Sequence, residues 1–188
     1  AARTTNVDVS MLGETMKYAA PVAAAVGGTL EETAVLAGVL GDAGIQATMS
    51  GTMLRAAYLR LAAPVGKGAK VLEKMRKELH LTAEEMPDVA KQAAYTQAHL
   101  TQMGVKIFDS NGRMRSMIDI LRDMNVALKD ASDEEKLSAV KAIFGDRAAP
   151  GALNIFKSIQ TMRLDEVLDK INHSQGAAQE MADRMKAT

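Results

Sequence analysis

The sequence contains no cysteine and no tryptophan, and tyrosine and phenylalanine occur only three times each in 188 residues. Without cysteine the fold has no disulfide to stabilise it, and the redox compartment cannot be inferred. Because aromatic residues are so few, the core must be built from aliphatic side chains, alanine and the 13 methionines. A hydrophobic fraction of 47% is typical of a globular domain, and this length suffices for a sizeable core.

Neither sign of charge is in excess, because lysine plus arginine and aspartate plus glutamate both total 23. This balance argues against an extended nucleic-acid surface, which usually carries a basic excess. No uninterrupted apolar run reaches the roughly 18–20 residues that a membrane span needs. The first ten residues, AARTTNVDVS, contain no initiator methionine and no signal-peptide pattern. We therefore interpret the chain as a piece of a longer protein.

The chain also lacks the spacings that carry chemistry. His80, His99 and His173 do not stand in a metal-binding spacing and are interpreted as helix-surface or boundary residues. The Gly-Lys-Gly at 66–68 lacks the rest of a phosphate-binding loop. Residues 109–112 resemble part of a calcium loop, but their glycine falls at position four where the loop needs it at about position six. The sequence predicts no catalytic residue, no cofactor-binding residue and no metal ligand.

Two acidic pairs and a basic helix have simpler structural interpretations. Glu84-Glu85 and Glu134-Glu135 fall inside helix-capping patterns, and adjacent residues on a helix point in different directions. The lysines and arginine between Lys67 and Lys77 are interpreted as a solvated face, with phosphate or an acidic partner as the alternative. Methionine at helical spacing is interpreted as core. The alternative is a partner-binding surface on one exposed helix face, for which Met75 or Met86 are the candidates.

The segment from Met16 to Pro64 is rich in alanine and glycine and is interpreted as three helices joined by short turns. Small residues recur four positions apart in it, which places each pair on one helix face. Because small side chains allow neighbouring helices to approach closely, we predict a tightly packed layer against which the rest of the chain docks. The pairs are Ala19 with Ala23, Ala34 with Gly38, and Ala37 with Gly41.

Capping and turn residues set the predicted boundaries of the first helices. The first begins at Asp8 or Ser10, and Pro21 predicts a break near Ala20, because proline lacks the N–H that an inner helical position requires. Thr29 and Glu32 form a capping box for the second helix. The first three helices are predicted to end near residues 26, 44 and 63, and a lysine-rich helix follows over 67–80.

Two further capping boxes, Thr82–Glu85 and Ser132–Glu135, open helices that end near Met103 and Gly145. Between them, short alternating runs around Asn111-Gly112 predict a tight hairpin with a positive φ at the glycine. Further helices are predicted over 116–128, 146–157 and from 164 to the C-terminus. The pattern predicts an all-α fold, a multi-helix packed array or bundle of about seven helices with at most one short β-hairpin near 105–115.

Five short motifs occur in order along the chain: K-Y-A-A-P at 17–21, D-A-G-I at 42–45, G-T-x-L-R at 51–55, V-x-x-x-D-x-x-G-x-x-R at 105–115 and F-G-x-x-A-A-P at 144–150. Together they resemble the TP901-type core region of the phage tail tape measure protein family. The resemblance covers roughly residues 6–156, and the whole chain, 1–188, is interpreted as a single core fragment. Relative to the family, residues 79–103 look inserted, and 158–188 form a more polar C-terminal helix.

The resemblance implies a structural protein without catalytic residues, mostly helical, whose length sets the length of the phage tail. It implies tail tube subunits, tail assembly chaperones and baseplate or tip proteins as partners, and self-association of the full-length protein. It also implies synthesis in the bacterial host cytoplasm and a location inside the tail tube of the virion. Two other functions stay open, a helical protein-binding or adaptor module and an enzyme domain such as a lytic module. The length and neighbours of the parent gene, and a turnover assay on cell wall, would distinguish them.

Overall fold

A computed structural model describes residues 9–45, 47–63, 76–77, 82–84, 86–147 and 157. The described residues form six helices, instead of the predicted seven or so, and no strand. The all-α prediction is confirmed. The predicted helix over 146–157 lies outside the described residues except at 146, 147 and 157, and the helix predicted from 164 onward lies outside them entirely. Of the predicted lysine-rich helix, only Arg76 and Lys77 are described, and both are helical. The six helices are α1 (Val9–Ala25), α2 (Leu30–Asp42), α3 (Ala47–Ala62), α4 (Met86–Gln102), α5 (Met117–Ala127) and α6 (Asp133–Phe144).

The first three helices form the layer that the small residues predicted. In α2 every residue from Val35 to Gly41 is buried, which is typical of a helix enclosed on all sides by its neighbours. Ala19 and Ala23 of α1 are buried as well. Helix α3 packs against α1 on one side and against α4 and α6 on the other. It therefore joins the first layer to the second half of the fold.

Helix α1 runs without interruption through Pro21, so the predicted break near Ala20 is wrong. Proline cannot donate to the carbonyl four residues earlier, which here belongs to Lys17. Both residues are exposed. Water can therefore hydrogen-bond the carbonyl that the proline leaves without a backbone donor, and the helix continues.

Helix α4 begins at Met86, three residues later than Ala83, where a helix capped by Thr82 would begin. A helix capped by Thr82 would place Pro87 beyond its first turn, where each backbone N–H must donate to a carbonyl. Starting at Met86 instead places Pro87 in the first turn, where the missing N–H has no partner to lose. Pro87 therefore overrides the capping signal.

The predicted hairpin near 105–115 is reduced to a turn with a single antiparallel bridge between Phe108 and Met114. Gly112 has a φ of +72°, as predicted, whereas Asn111 has no positive φ. The Gly112 N–H donates to the Asp109 carbonyl at 3.0 Å. This is a type I turn followed by a left-handed glycine, which is a common three-residue hairpin loop.

The methionines divide between the core and the surface. Met53, Met117 and Met124 are buried, whereas Met49 is 54% exposed. Met86 was expected on an exposed face, but it is partly buried and packs against the core. Met75, the other residue expected on that face, lies outside the described residues. None of the described helices is both long enough and apolar enough to cross a bilayer.

Candidate functional site

A groove of about 720 Å³ lies between α4 and α6. One wall carries Lys91 and Tyr95 from α4, and the other carries Glu134 and Lys141 from α6. Residues four and seven positions apart on a helix share a face, which is why each helix presents a continuous wall. The Tyr95 ring is 59% exposed and stacks on His99, with ring centroids 5.9 Å apart.

Arg60 of α3 lines the base of this groove and links the helices on both sides of it. Its Nη1 donates to the Ile143 carbonyl at 3.1 Å, and its Nε donates to Gln92 Oε1 at 3.0 Å. Burial lowers the pKa of the Arg60 guanidinium, and the nearby charge of Asp146 opposes that shift. Since the ordinary pKa of an arginine lies far above neutrality, the group stays cationic at neutral pH. Arg60 therefore supplies a charged donor to the last turn of α6.

Gly145, at the end of α6, leaves the space that Arg60 occupies. A Cβ at this position would lie 2.8 Å from Arg60 Nη2, and the glycine φ is +86°. Its N–H donates to the Lys141 carbonyl at 2.8 Å, which ends the helix. A larger residue here would meet both a strained backbone and the guanidinium.

Side chains of α4 complete the attachment to its neighbours. Thr96 Oγ1 donates to the Ala142 carbonyl at 2.7 Å. Gln97 Nε2 donates to the carbonyls of Leu61 and Ala63 at 3.0 and 2.8 Å. These carbonyls belong to the final turns of α6 and α3 and to the residue directly after α3, positions at which helix carbonyls lack an intrahelical donor. Helix α4 is therefore an integral part of the core.

The groove lining is electrically balanced. Three cationic side chains face three carboxylates, and Lys141 Nζ pairs with Asp146 Oδ1 at 2.8 Å. The hydrogen bond and charge of Lys141 lower the pKa of Asp146. Such a mixed lining with one exposed aromatic ring suits polar contacts to a protein segment. The charged lining residues are Arg60, Lys91, Lys141, Asp88, Glu134 and Asp146.

A second feature is the buried carboxylate of Glu32, which is 5% exposed. The Thr29 hydroxyl accepts from the Glu32 N–H at 3.1 Å, as the capping box predicts. The Glu32 carboxylate does not complete that box, so this part of the prediction is wrong. Its Oε1 accepts from Ser116 Oγ at 2.6 Å and from the Ile118 N–H at 3.0 Å. Glu32 thus caps the start of α5, whose own N-cap serine makes no capping bond.

Tyr58 lies in the same buried region, on α3. Its hydroxyl is 3.3 Å from Thr33 Oγ1, and both side chains are fully buried. Burial raises the pKa of Tyr58 well above its ordinary value, the Glu32 carboxylate raises it further, and the Thr33 hydrogen bond opposes both. A Cβ at Gly28 would lie 3.2 Å from the Tyr58 ring, so this glycine admits the ring to the core.

Helices α1 and α3 approach each other closely at Gly51. A Cβ there would lie 2.6 Å from the Thr15 carbonyl oxygen, which is a backbone atom that cannot easily move. Thr15 Oγ1 donates to the Ala47 carbonyl at 3.0 Å and fixes the same contact from the other side. The neighbouring Ser50 hydroxyl is buried and has no hydrogen-bond partner among the described residues.

Residues 109–112, whose spacing does not fit a calcium loop, form the turn after α4. Asp109 Oδ1 accepts from the N–H groups of Asn111 at 2.8 Å and Arg113 at 2.9 Å. These bonds, led by that from Arg113, lower the pKa of Asp109. The carboxylate therefore stabilises the turn. Within the described part of the chain, no three histidine, cysteine, aspartate or glutamate side chains form a group that could hold a metal ion.

Comparison with known proteins now identifies the family. The sequence profile of the phage-related minor tail protein family matches residues 1–145. The chain belongs to this family. Membership gives the chain a structural role in the phage tail and confirms the resemblance at that level. No solved structure matches the chain.

Two relatives of this minor tail chain extend the match over almost its full length. The tape measure protein of Pneumococcus phage Dp-1 is 31% identical over 99% of the chain. The probable tape measure protein of Escherichia phage P2 is 29% identical over 97% of it. The chain spans only 14% and 19% of the lengths of these two relatives.

The motifs that suggested the family have structural roles in this minor tail chain. Gly51 makes the α1–α3 contact, and Asp109 and Gly112 form the turn. Arg115 Nη1 donates to the Lys106 carbonyl at 2.8 Å and to Asp123 Oδ2 at 2.6 Å, which joins the turn to α5. The motifs therefore mark close contacts and turns that a packed helical domain requires.

The sequence did not predict the contacts of Arg60 and Gln97 or the capping of α5 by the Glu32 carboxylate. Each makes its contact with residues 32 or more positions away, and helical spacing contains no information at that distance. One available signal was Glu32 in a predicted apolar helix. Of the histidines, His99 lies on the α4 surface, whereas His80 and His173 lie outside the described residues.

Proposed function

We propose that this chain is the TP901-type core segment of a phage tail tape measure protein and acts in tail assembly and tail-length determination. One observation carries the proposal: two relatives named as a tape measure protein and a probable tape measure protein align with nearly the whole chain. Because the chain spans less than a fifth of each, it corresponds to one segment of a much longer protein.

The packing suggests which part of the tape measure function this segment supplies. The described helices are 11 to 17 residues long, and the longest therefore extends about 25 Å. They share one core, which includes side chains from all six helices. A compact unit of this kind adds little length to a tape. We infer that this segment supplies a folded assembly surface, while other parts of the parent protein supply most of the length.

The proposed partners are tail tube subunits, tail assembly chaperones and the proteins of the baseplate or tip. The groove between α4 and α6 is the surface we assign to one of these contacts, because its balanced charges and exposed Tyr95 suit a protein segment. The full-length protein would be made in the host cytoplasm, self-associate and occupy the interior of the tail tube. In this function the segment acts by shape, without catalysis.

The groove also favours a second candidate, a helical protein-binding or adaptor module with no catalytic activity. The two functions differ in whether the parent protein is present in the finished tail. A tape measure protein is retained in the finished tail, whereas an adaptor that acts only during assembly is absent from it.

Mass spectrometry of purified tails tests the proposal. Tryptic peptides from this chain should be present in intact tails at a fixed ratio to the tube subunit. Host lysate from which tails have been removed serves as the control for carry-over. Tails that contain the tube subunit but no peptide from this chain would contradict the tape measure function and favour the adaptor.

A further inference from the structure

The turn after α4 contains an asparagine followed by glycine at an exposed position, and this pair has an intrinsic chemistry. Asn111 and Gly112 are both exposed. In an open chain the Gly112 backbone nitrogen loses its proton and attacks the Asn111 side-chain carbon Cγ. The new N–Cγ bond closes a succinimide ring, and the Cγ–Nδ2 bond breaks to release ammonia. Water then opens the ring to give aspartate or isoaspartate.

The folded turn opposes this reaction at its first step. The attacking nitrogen must be free of its proton, but the Gly112 N–H donates to the Asp109 carbonyl at 3.0 Å. In a type I turn the residue at the position of Asn111 has ψ near about 0°. With this ψ, the Gly112 nitrogen cannot reach the face of the Asn111 side-chain carbonyl. Ring closure therefore requires the turn to open.

Asp109 accepts hydrogen bonds from three successive backbone N–H groups in the turn. The N–H groups of Asn111 and Arg113 donate to its Oδ1 at 2.8 and 2.9 Å, and that of Gly112 donates to its backbone carbonyl. Three successive donors therefore depend on one residue. Removing the carboxylate would release two of them and allow rotation about ψ of Asn111.

We propose that Asn111-Gly112 is a latent succinimide-forming site that the hydrogen bonds of Asp109 keep closed while the turn is folded. Isoaspartate at Asn111 would then record how often the turn opens. Its formation inserts an extra methylene into the backbone and creates a new carboxylate beside that of Asp109. Both changes disfavour refolding of the turn, so the turn is expected to stay open after the modification.

The test measures modification of the whole chain by peptide mapping and mass spectrometry during incubation in neutral buffer. The folded wild type should react at least about tenfold more slowly at Asn111 than the same chain in urea, which corresponds to about 1.4 kcal/mol of turn opening. Asp109→Ala loses the two bonds to the carboxylate but keeps the backbone carbonyl that accepts from Gly112, so it should react faster than folded wild type and more slowly than the chain in urea. Asp109→Asn, which keeps an oxygen acceptor, should stay near the wild-type rate. Asn125, followed by the bulky Val126, is the internal reference and should react slowly in every sample.

Two results would overturn the proposal. One is a folded wild type that reacts as fast as the chain in urea. The other is an Asp109→Ala variant that keeps the wild-type rate. Circular dichroism shows whether Asp109→Ala remains helical, and if it unfolds, the comparison of folded wild type with wild type in urea decides the question by itself.

Discussion

At the scale of single residues, Glu32 shows how a local signal can be correct for the backbone and wrong for the side chain. Its N–H is capped by Thr29 as the sequence predicts, but its carboxylate binds the start of α5, 84 and 86 positions away. A carboxylate that accepts two hydrogen bonds away from water stabilises more than an exposed capping box does. The sequence contains the acceptor but not the fold that brings the two donors to it.

Replacing Glu32 by alanine should destabilise the fold by roughly 2–4 kcal/mol, because a buried N–H and a hydroxyl each lose a charged acceptor. Glu32→Gln keeps an oxygen at the same position and should cost less than half as much. Urea unfolding followed by circular dichroism measures both variants. Equal losses for the two would show that the carboxylate does not cap α5.

Gly51 and Gly13 offer a matched pair of helical glycines. Gly51→Ala places a Cβ against the Thr15 carbonyl oxygen and should destabilise by about 1–3 kcal/mol through overpacking. Gly13→Ala has nothing within 4 Å and should stabilise α1 by about 0.5–1 kcal/mol. If Gly51→Ala raises the urea midpoint as Gly13→Ala should, the helices do not approach closely at Gly51.

At the scale of elements, helix type and most ends could be predicted from capping boxes and glycines. Ser132 and Glu135 form both bonds of their box, and α6 ends at Gly145. The errors arose at prolines, because the cost of a proline depends on the exposure and helical position of the peptide group that it alters. Pro21 is tolerated because its turn is exposed, and Pro87 moves the start of α4.

The capping box of α6 should make stability depend on pH. The backbone N–H of Ser132, followed by its hydroxyl, lowers the pKa of Glu135 in the folded state. The unfolded state therefore binds this proton more readily, and the free energy of unfolding rises with pH until both states are ionised. The contribution is present above the ordinary glutamate pKa of about 4.3 and is lost as the pH falls through the lower folded value.

Urea unfolding of wild type and Glu135→Gln between about pH 3 and pH 6 measures this contribution. The two curves should converge at the acid end and separate as the pH rises, with wild type the more stable. Glu134→Gln is the control, since Glu134 takes no part in the box. Parallel curves for wild type and Glu135→Gln would exclude this role.

At the scale of the whole molecule, composition and helical spacing were sufficient to predict an all-α fold, because both are local properties. The groove between α4 and α6 was not predicted, since it depends on which helices meet and on Arg60 reaching across to Ile143. The family resemblance came from short motifs, several of whose described residues lie at turns and close contacts. That origin explains why the motifs suggested a family without marking a reactive site.

Tail length and form, measured by electron microscopy, test the proposed role of this segment most directly. An in-frame deletion of the segment from the parent gene should leave tails absent or misassembled, because the folded assembly surface is lost. The control deletes an equal number of residues from a helical part of the same gene and should give well-formed tails shorter by up to roughly 280 Å. Tails of normal form and length after deletion of this segment would contradict the account.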